Sequence, residues 1–174
     1  DNDCITFNQI YTYNKKRKKL NCINSFNTNA SYQNEIVAVD KNYVTIHNSD
    51  QPAEVGWISW NIPYKYSKGK LVAATTSTTT VKSLIANNKK DKYSKYFAKN
   101  QFVTAKKLTF YNGSKVAYTV PKGKVVTLTK LSLSKDVIYL QFKYGKKPGW
   151  AHVNGTKYNF SKPWFQGVNA RLAG

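Results

Sequence analysis

"TFYNGSKVAYTVPKGKVVTL", residues 109–128, decides the fold class. Asn112-Gly113 reads as the tip of a tight β-hairpin, because primed two-residue turns need positive φ and favour that pair. "VAYTV" (116–120) and "KVVTLTKLSL" (124–133) are rich in β-branched and aromatic residues, and Pro121-Lys122-Gly123 reads as the turn between them. Downstream, "VIYLQFKY" (137–144) alternates apolar and polar residues as a half-buried strand does. "YGKKPGW" (144–150) then reads as a turn feeding a last strand that starts at Trp150. Short strands at this density, with little helix between them, predict a small barrel.

The pattern occurs twice. "ITFNQIYTYN" (5–14) laid over "VTAKKLTFYN" (103–112) brings apolar positions together and ends both in Tyr-Asn. "EVGWISWN" (54–61) answers "KPGWAHVN" (147–154). "YKYSKGKLVAA" (64–74) shares aromatic-x-aromatic-Ser-Lys with "YNFSKPWFQGVNA" (158–170). Order and spacing hold with small gaps, which is the mark of internal duplication. The expectation is a mainly β protein of two tandem modules, 1–74 and 102–174. In the connector, 75–101, a Thr-rich start leads into Val81, Leu84, Ile85 and then Tyr93, Tyr96 and Phe97 at three-four spacing. That period predicts helix, with Thr80 as N-cap and a break at Asn87-Asn88. The aromatic stripe is expected to pack on a module.

Charge bounds the partner. Lys and Arg total 28 against eight acids, a formal net charge of +20, which calls for an anionic polymer or surface. Only Arg17 and Arg171 are arginine. Forked recognition of phosphates and base edges favours Arg, whereas Lys acts as a point charge and suits a flexible, irregular polyanion. Drift in an AT-rich genome accounts for Lys over Arg, but not for the scarcity of acids. A hydrophobic content of 41% excludes a disordered polycation. No run reaches the roughly 20 apolar residues of a membrane helix. No apolar signal region opens the sequence, so an exported chain would be one from which the signal has been removed.

Catalysis finds little support. The acids are scattered, His47 and His152 fall at different places in the repeat, and Cys4 and Cys22 lack the context of a Cys-His hydrolase. Neither metal-ligand spacing nor a phosphate-cradling glycine loop is present in the sequence, so no enzyme, cofactor or metal is expected. In the repeat, Cys4 and Cys22 fall on Phe102 and Val120, read as the ends of one hairpin, which predicts a disulfide and an oxidising setting. The alternative is two buried thiols.

The order of hairpin, Lys-Gly turn, strand and closing Gly-Trp element resembles the bacterial SH3-type modules of Gram-positive surface proteins, including the GW modules. Lys122-Gly123 and Gly149-Trp150-Ala151 fill the two signature places in the second module. Gly56-Trp57-Ile58 fills the second place in the first module, where "YQNE" (32–35) replaces the Lys-Gly turn. Two basic modules with a Lys-rich connector are also similar to the wall-anchoring regions of lactobacillar S-layer proteins. The resemblance implies two tandem SH3-like barrels and a secreted protein held at the wall of a Gram-positive bacterium. Its implied partner is teichoic acid, lipoteichoic acid or a peptidoglycan-linked glycan. Other readings are an adhesin for host anionic glycans and, less favoured given so little Arg, a nucleic-acid binder.

Trp57 and Trp150, which align, are expected to close the barrel cores beside Gly56 and Gly149, and Trp60 to be core as well. Trp164 follows Pro163, has no counterpart in the first module, and is the candidate exposed platform. Lys15, Lys16, Arg17, Lys18 and Lys19 form a basic hairpin tip. Lys143, Tyr144, Lys146 and Lys147, where cation and aromatic groups meet, form the preferred binding edge.

Overall fold

Alternating apolar and polar residues build strands almost throughout. The computed structural model describes residues 6–28, 35–85, 92–134, 137–153 and 163–168. In chain order these carry β1 (Thr6–Asn14), β2 (Lys19–Thr28), β3 (Glu35–Val39), β4 (Val44–Asp50), β5 (Ile58–Ser67), β6 (Lys70–Ala73), β7 (Ser77–Thr78) and β8 (Lys82–Ser83). A single helical turn, α1 (Ser94–Phe97), follows, then β9 (Gln101–Val103), β10 (Leu108–Asn112), β11 (Lys115–Val120), β12 (Val125–Ser134), β13 (Val137–Tyr144) and β14 (Lys147–Val153). The protein is mainly β, as expected, and its sheets are open ladders.

The chain divides into two units: Asp1–Ser49 with Asn61–Thr76, and Asp50–Trp60 with Ser77–Gly174. In the first, β1 and β2 form a hairpin whose register runs from Thr6↔Thr28 to Asn14↔Lys19. Its four-residue tip is Lys15–Lys18, closed by the Arg17 amide donating to Asn14 Oδ1 at 3.0 Å and by a left-handed Lys18. β3, β4, β5 and β6 pair in that order, with Ile46 and Ile62 buried and His47 Nδ1 2.7 Å from Asn61 Oδ1.

The second unit holds the larger core. Its sheet runs β11-β10-β14-β13-β12-β7, and β9 pairs the first part of β12. Every second residue of β13 turns inward: Ile138, Leu140 and Phe142 are buried. Phe102, Phe110 and Phe165 surround Phe142, with ring centroids 5.7, 5.5 and 5.2 Å away. Val55, Ile58 and Trp60, from the Gly-Trp stretch of the first repeat, are buried here as well. The Pro121–Gly123 turn forms as expected. It is held by Thr104, a fully buried residue whose hydroxyl donates to Pro121 O at 2.7 Å and accepts from the Lys124 amide at 3.0 Å.

Of the predicted helical connector only the single turn α1 forms among the described residues; residues 81–85 are extended instead. Thr80 caps no helix; it leads into β8, which pairs β5 through Ile58↔Ser83 and Ser59↔Lys82. The cause is a distant side chain. Asn100 donates its amide to Val81 O and accepts the Ser83 N–H, both at 2.9 Å, so it takes the place of a neighbouring strand and holds the segment extended. Asn100 itself adopts φ +54, the left-handed conformation that Asn tolerates better than most residues. Val81 is buried on this account and Leu84 is left 38% exposed, which is strand behaviour rather than a helical stripe. The stripe at 93–97 does pack: Phe97 is buried, and Tyr93 covers Gly167 so closely that a Cβ there would lie 2.9 Å from the Tyr93 side chain. Asn87-Asn88 lies outside the described residues.

Asn100→Ala should therefore destabilise the second unit by about 1–3 kcal/mol, since two backbone groups lose their partner. Asn100→Gly should lose the clamp but tolerate the positive φ, and fall between wild type and Ala. Urea denaturation of the three proteins checks the order.

Candidate functional site

The strand alternation that turns Ile138, Leu140 and Phe142 into the core sends Tyr139, Gln141 and Lys143 to the opposite face. Register then assembles that face in rows. Lys130 stands opposite Gln141, Gln141 opposite Trp150, and Trp150 opposite Tyr111. In the next row Ser77 stands opposite Ser132, Ser132 opposite Tyr139, and Tyr139 opposite His152. Facing residues on neighbouring strands bring their side chains within about 5 Å at Cβ, so each row is a contact ladder. The Tyr139 and His152 rings lie 6.1 Å apart, and the Ser77 and Ser132 hydroxyls are 2.9 Å apart.

Tyr111, Tyr139, Trp150 and His152, with Ser132 and the hairpin tip Gly113-Ser114, line an open groove of about 630 Å³. A volume of that order falls in the range of small-ligand sites. Tyr111 and His152 also border a smaller depression of about 140 Å³, to which Trp164 contributes. Tyr111 is 42% exposed and Tyr139 37%, so both rings offer surface that the core does not claim. Lys143 is the diagonal neighbour of Trp150 on this face, and Lys130 shares its row.

Trp164, the expected platform, is partly exposed and joins the aromatic surface through the smaller depression; its N–H and C=O are tied to Glu54 O and the Ala105 amide. Lys143, Lys146 and Lys147 are exposed at and beside the tight Gly145-Lys146 turn, which is shorter than expected because β14 begins at Lys147 rather than Trp150. Tyr144 shares the Phe142 side of the sheet, and its ring lies 6.1 Å from that of Tyr118. It therefore stands across the sheet from Lys143 rather than beside it. The basic tip of Lys15, Lys16, Arg17, Lys18 and Lys19 is exposed and belongs to the first unit.

The two Gly-Trp pairs occupy different places. Gly56 sits in a turn at φ +73, its amide bonded to Pro52 O, where an added Cβ would come within 2.9 Å of Ile85; Trp57 beside it is 41% exposed. Gly149 is an ordinary strand residue whose missing Cβ makes room for Phe110 and Tyr118, each 2.8 Å from where it would lie. Trp150 beside it lines the groove. Neither tryptophan closes a core, and only the third, Trp60, is buried, with its Nε1 lacking a hydrogen-bond partner. The disulfide rested on the same repeat. Val120 pairs Leu108 while Phe102 pairs Val126, so those two positions are not ends of one hairpin. Cys22 stands opposite Tyr11 in the β1–β2 register, and Cys4 lies outside the described residues.

Two titrating groups record burial in the second unit. Tyr118 donates its hydroxyl to Phe142 O at 2.6 Å, and desolvation pushes its phenol pKa well up. Burial also raises Asp50, with the Gln51 amide opposing and nearby Glu54 adding to the shift. Among the described residues, no group of three His, Cys, Asp or Glu could hold a metal ion, and no helix is long and apolar enough to cross a membrane.

The sequence reading missed Tyr111, Tyr139, His152 and Ser132. Alternation in "VIYLQFKY" carried the signal for Tyr139, whereas Tyr111 and His152 join it only through sheet register. Comparison of the chain with protein-family models, with curated proteins and with solved structures finds no match.

Proposed function

We propose that the protein is a non-catalytic wall-binding protein, exported by a Gram-positive bacterium, that attaches to anionic wall polymers such as teichoic or lipoteichoic acid. The observation that carries this reading is the placing of Lys130 and Lys143 on the same sheet face as Trp150, in a chain of net charge +20. Teichoic acids are phosphodiester chains bearing sugars. Lysines neutralise the phosphates, and long flexible ammonium side chains tolerate the irregular spacing of such a chain. The resemblance of Lys122-Gly123 and Gly149-Trp150-Ala151 to SH3-type wall modules supports the same partner, and with it a barrel-like module in each half of the chain.

Co-sedimentation with purified Gram-positive walls tests this. The protein should pellet saturably with intact walls and remain in solution after teichoic acid is extracted. Equal retention by extracted walls overturns the polyanion reading in favour of peptidoglycan. Failure to pellet with walls, together with tight retention on heparin, overturns it in favour of an adhesin for sulfated glycans.

A further inference from the structure

The groove has a character that net charge does not explain. Lys130 and Lys143 share its sheet face, while its lining, Gly113 and Ala151 apart, is aromatic or carries hydroxyl and imidazole groups, with no carboxylate among them. An anionic chain held by lysines alone would need no such lining. We propose that the groove binds an uncharged pyranose ring, stacked on Trp150 between Tyr111 and Tyr139, with Ser132, Ser114 and His152 meeting its hydroxyls. The inference rests on the wall-attachment reading for the source of the sugar, which is a glycosyl group of the wall polymer.

The chemistry fits a sugar better than the other flat ligands. A pyranose has an apolar face of C–H groups and a polar equator, and this lining offers apolar rings with hydrogen-bonding groups at their margin. Ser132 is already oriented: its Oγ accepts from Ser77 Oγ at 2.9 Å, so its own proton is directed away from Ser77. Hydroxyl and neutral imidazole both donate and accept, as a sugar hydroxyl requires. A nucleic-acid base would also stack, but among the described residues this face carries no arginine, and the amide fork of Gln141 is engaged, its Oε1 accepting from Thr129 Oγ1 at 2.9 Å. A cationic peptide would meet no carboxylate in the lining and a net charge of its own sign. The smaller depression shares Tyr111 and His152 with the groove and reaches Trp164, so a second ring of the same chain has a surface to follow.

The test uses the full chain at 1 M NaCl, where lysine–phosphate contacts are screened. Methyl glycosides of glucose, galactose and N-acetylglucosamine are titrated while the indole N–H signal of Trp150, assigned with Trp150→Phe, is followed by NMR. At least one glycoside should shift that signal saturably, with a Kd in the millimolar range that does not change at low salt. The double variant Tyr111→Ser, Tyr139→Ser should weaken binding at least tenfold. Its thermal unfolding should remain a single cooperative transition well above the binding temperature, because neither ring belongs to the buried core. Absence of any glycoside response overturns the proposal, as does equal binding by the double variant. So does a response to oligothymidylate with none to the glycosides. If the glycosides fail while the protein still pellets with teichoic-acid-bearing walls, the groove proposal falls and wall attachment stands. If they bind while wall binding ignores teichoic acid, the groove stands and the polyanion reading falls.

Discussion

Phe142→Ala should destabilise the second unit by about 3–5 kcal/mol, the range for truncating a fully buried aromatic. Its side chain is fully buried and touches three other phenylalanines, from β9, from β10 and from the segment that carries Trp164. Those neighbours are held by separate pieces of backbone, so they have little freedom to move into the space that the ring leaves. Relaxation on the β14 side is blocked too. Gly149 lies directly opposite Phe142, and the room made by its missing Cβ is already filled by Phe110 and Tyr118. A whole domain is stable by only about 5–15 kcal/mol, so this one substitution removes a large share. Urea denaturation should show a lower midpoint at unchanged slope. Tyr139→Ala, three residues earlier and on the outer face, should cost only about 1 kcal/mol, the cross-strand contacts with Ser132 and His152 that it gives up. Similar losses for the two variants would mean that the core is not where the burial places it.

That contrast within one strand also shows what was legible. In residues 137–144 a period of two separates core from surface with no knowledge of the rest of the chain, and β10 to β14 fall close to where turn chemistry sets them. Small departures are local: the hairpin tip is Gly113-Ser114 rather than Asn112-Gly113, because the left-handed residue is Gly113 at φ +61. The larger departures are non-local. Helical spacing in Val81, Leu84 and Ile85 is overridden by Asn100, whose side chain reaches back 17 and 19 residues along the chain. The Gly-Trp pairs repeat in letters but not in geometry, since Gly56 serves a left-handed turn and Gly149 serves close packing. The groove was the least legible part. Its rings come from β10, β13 and β14, and only the register places them side by side.

Attachment should weaken steeply with salt, and replacing Lys143, Lys146 and Lys147 with Gln should flatten that dependence. Binding a phosphodiester chain releases its condensed counterions. For single-stranded nucleic acids the logarithm of affinity falls with the logarithm of salt at about 0.7 per phosphate neutralised. Carried over to a teichoic acid chain with three or more lysine contacts, this predicts a loss of about 100-fold or more between 0.1 and 1 M NaCl. Removing three such contacts should lower the slope by about 2 and weaken binding most at low salt, where the released ions contribute most. The fold should survive, because all three side chains are exposed and none lies within the aromatic core. The turn itself depends on Gly145 at φ +59, which the substitutions leave untouched. Equilibrium binding of the parent and the triple variant to purified lipoteichoic acid, at four or five salt concentrations, gives both slopes. Parallel lines of equal height would remove this edge from the contact and shift attention to the Lys15–Lys19 tip of the first unit. A parent line with no slope would mean that charge is not the basis of attachment, and the uncharged groove on the same sheet would then have to account for binding alone.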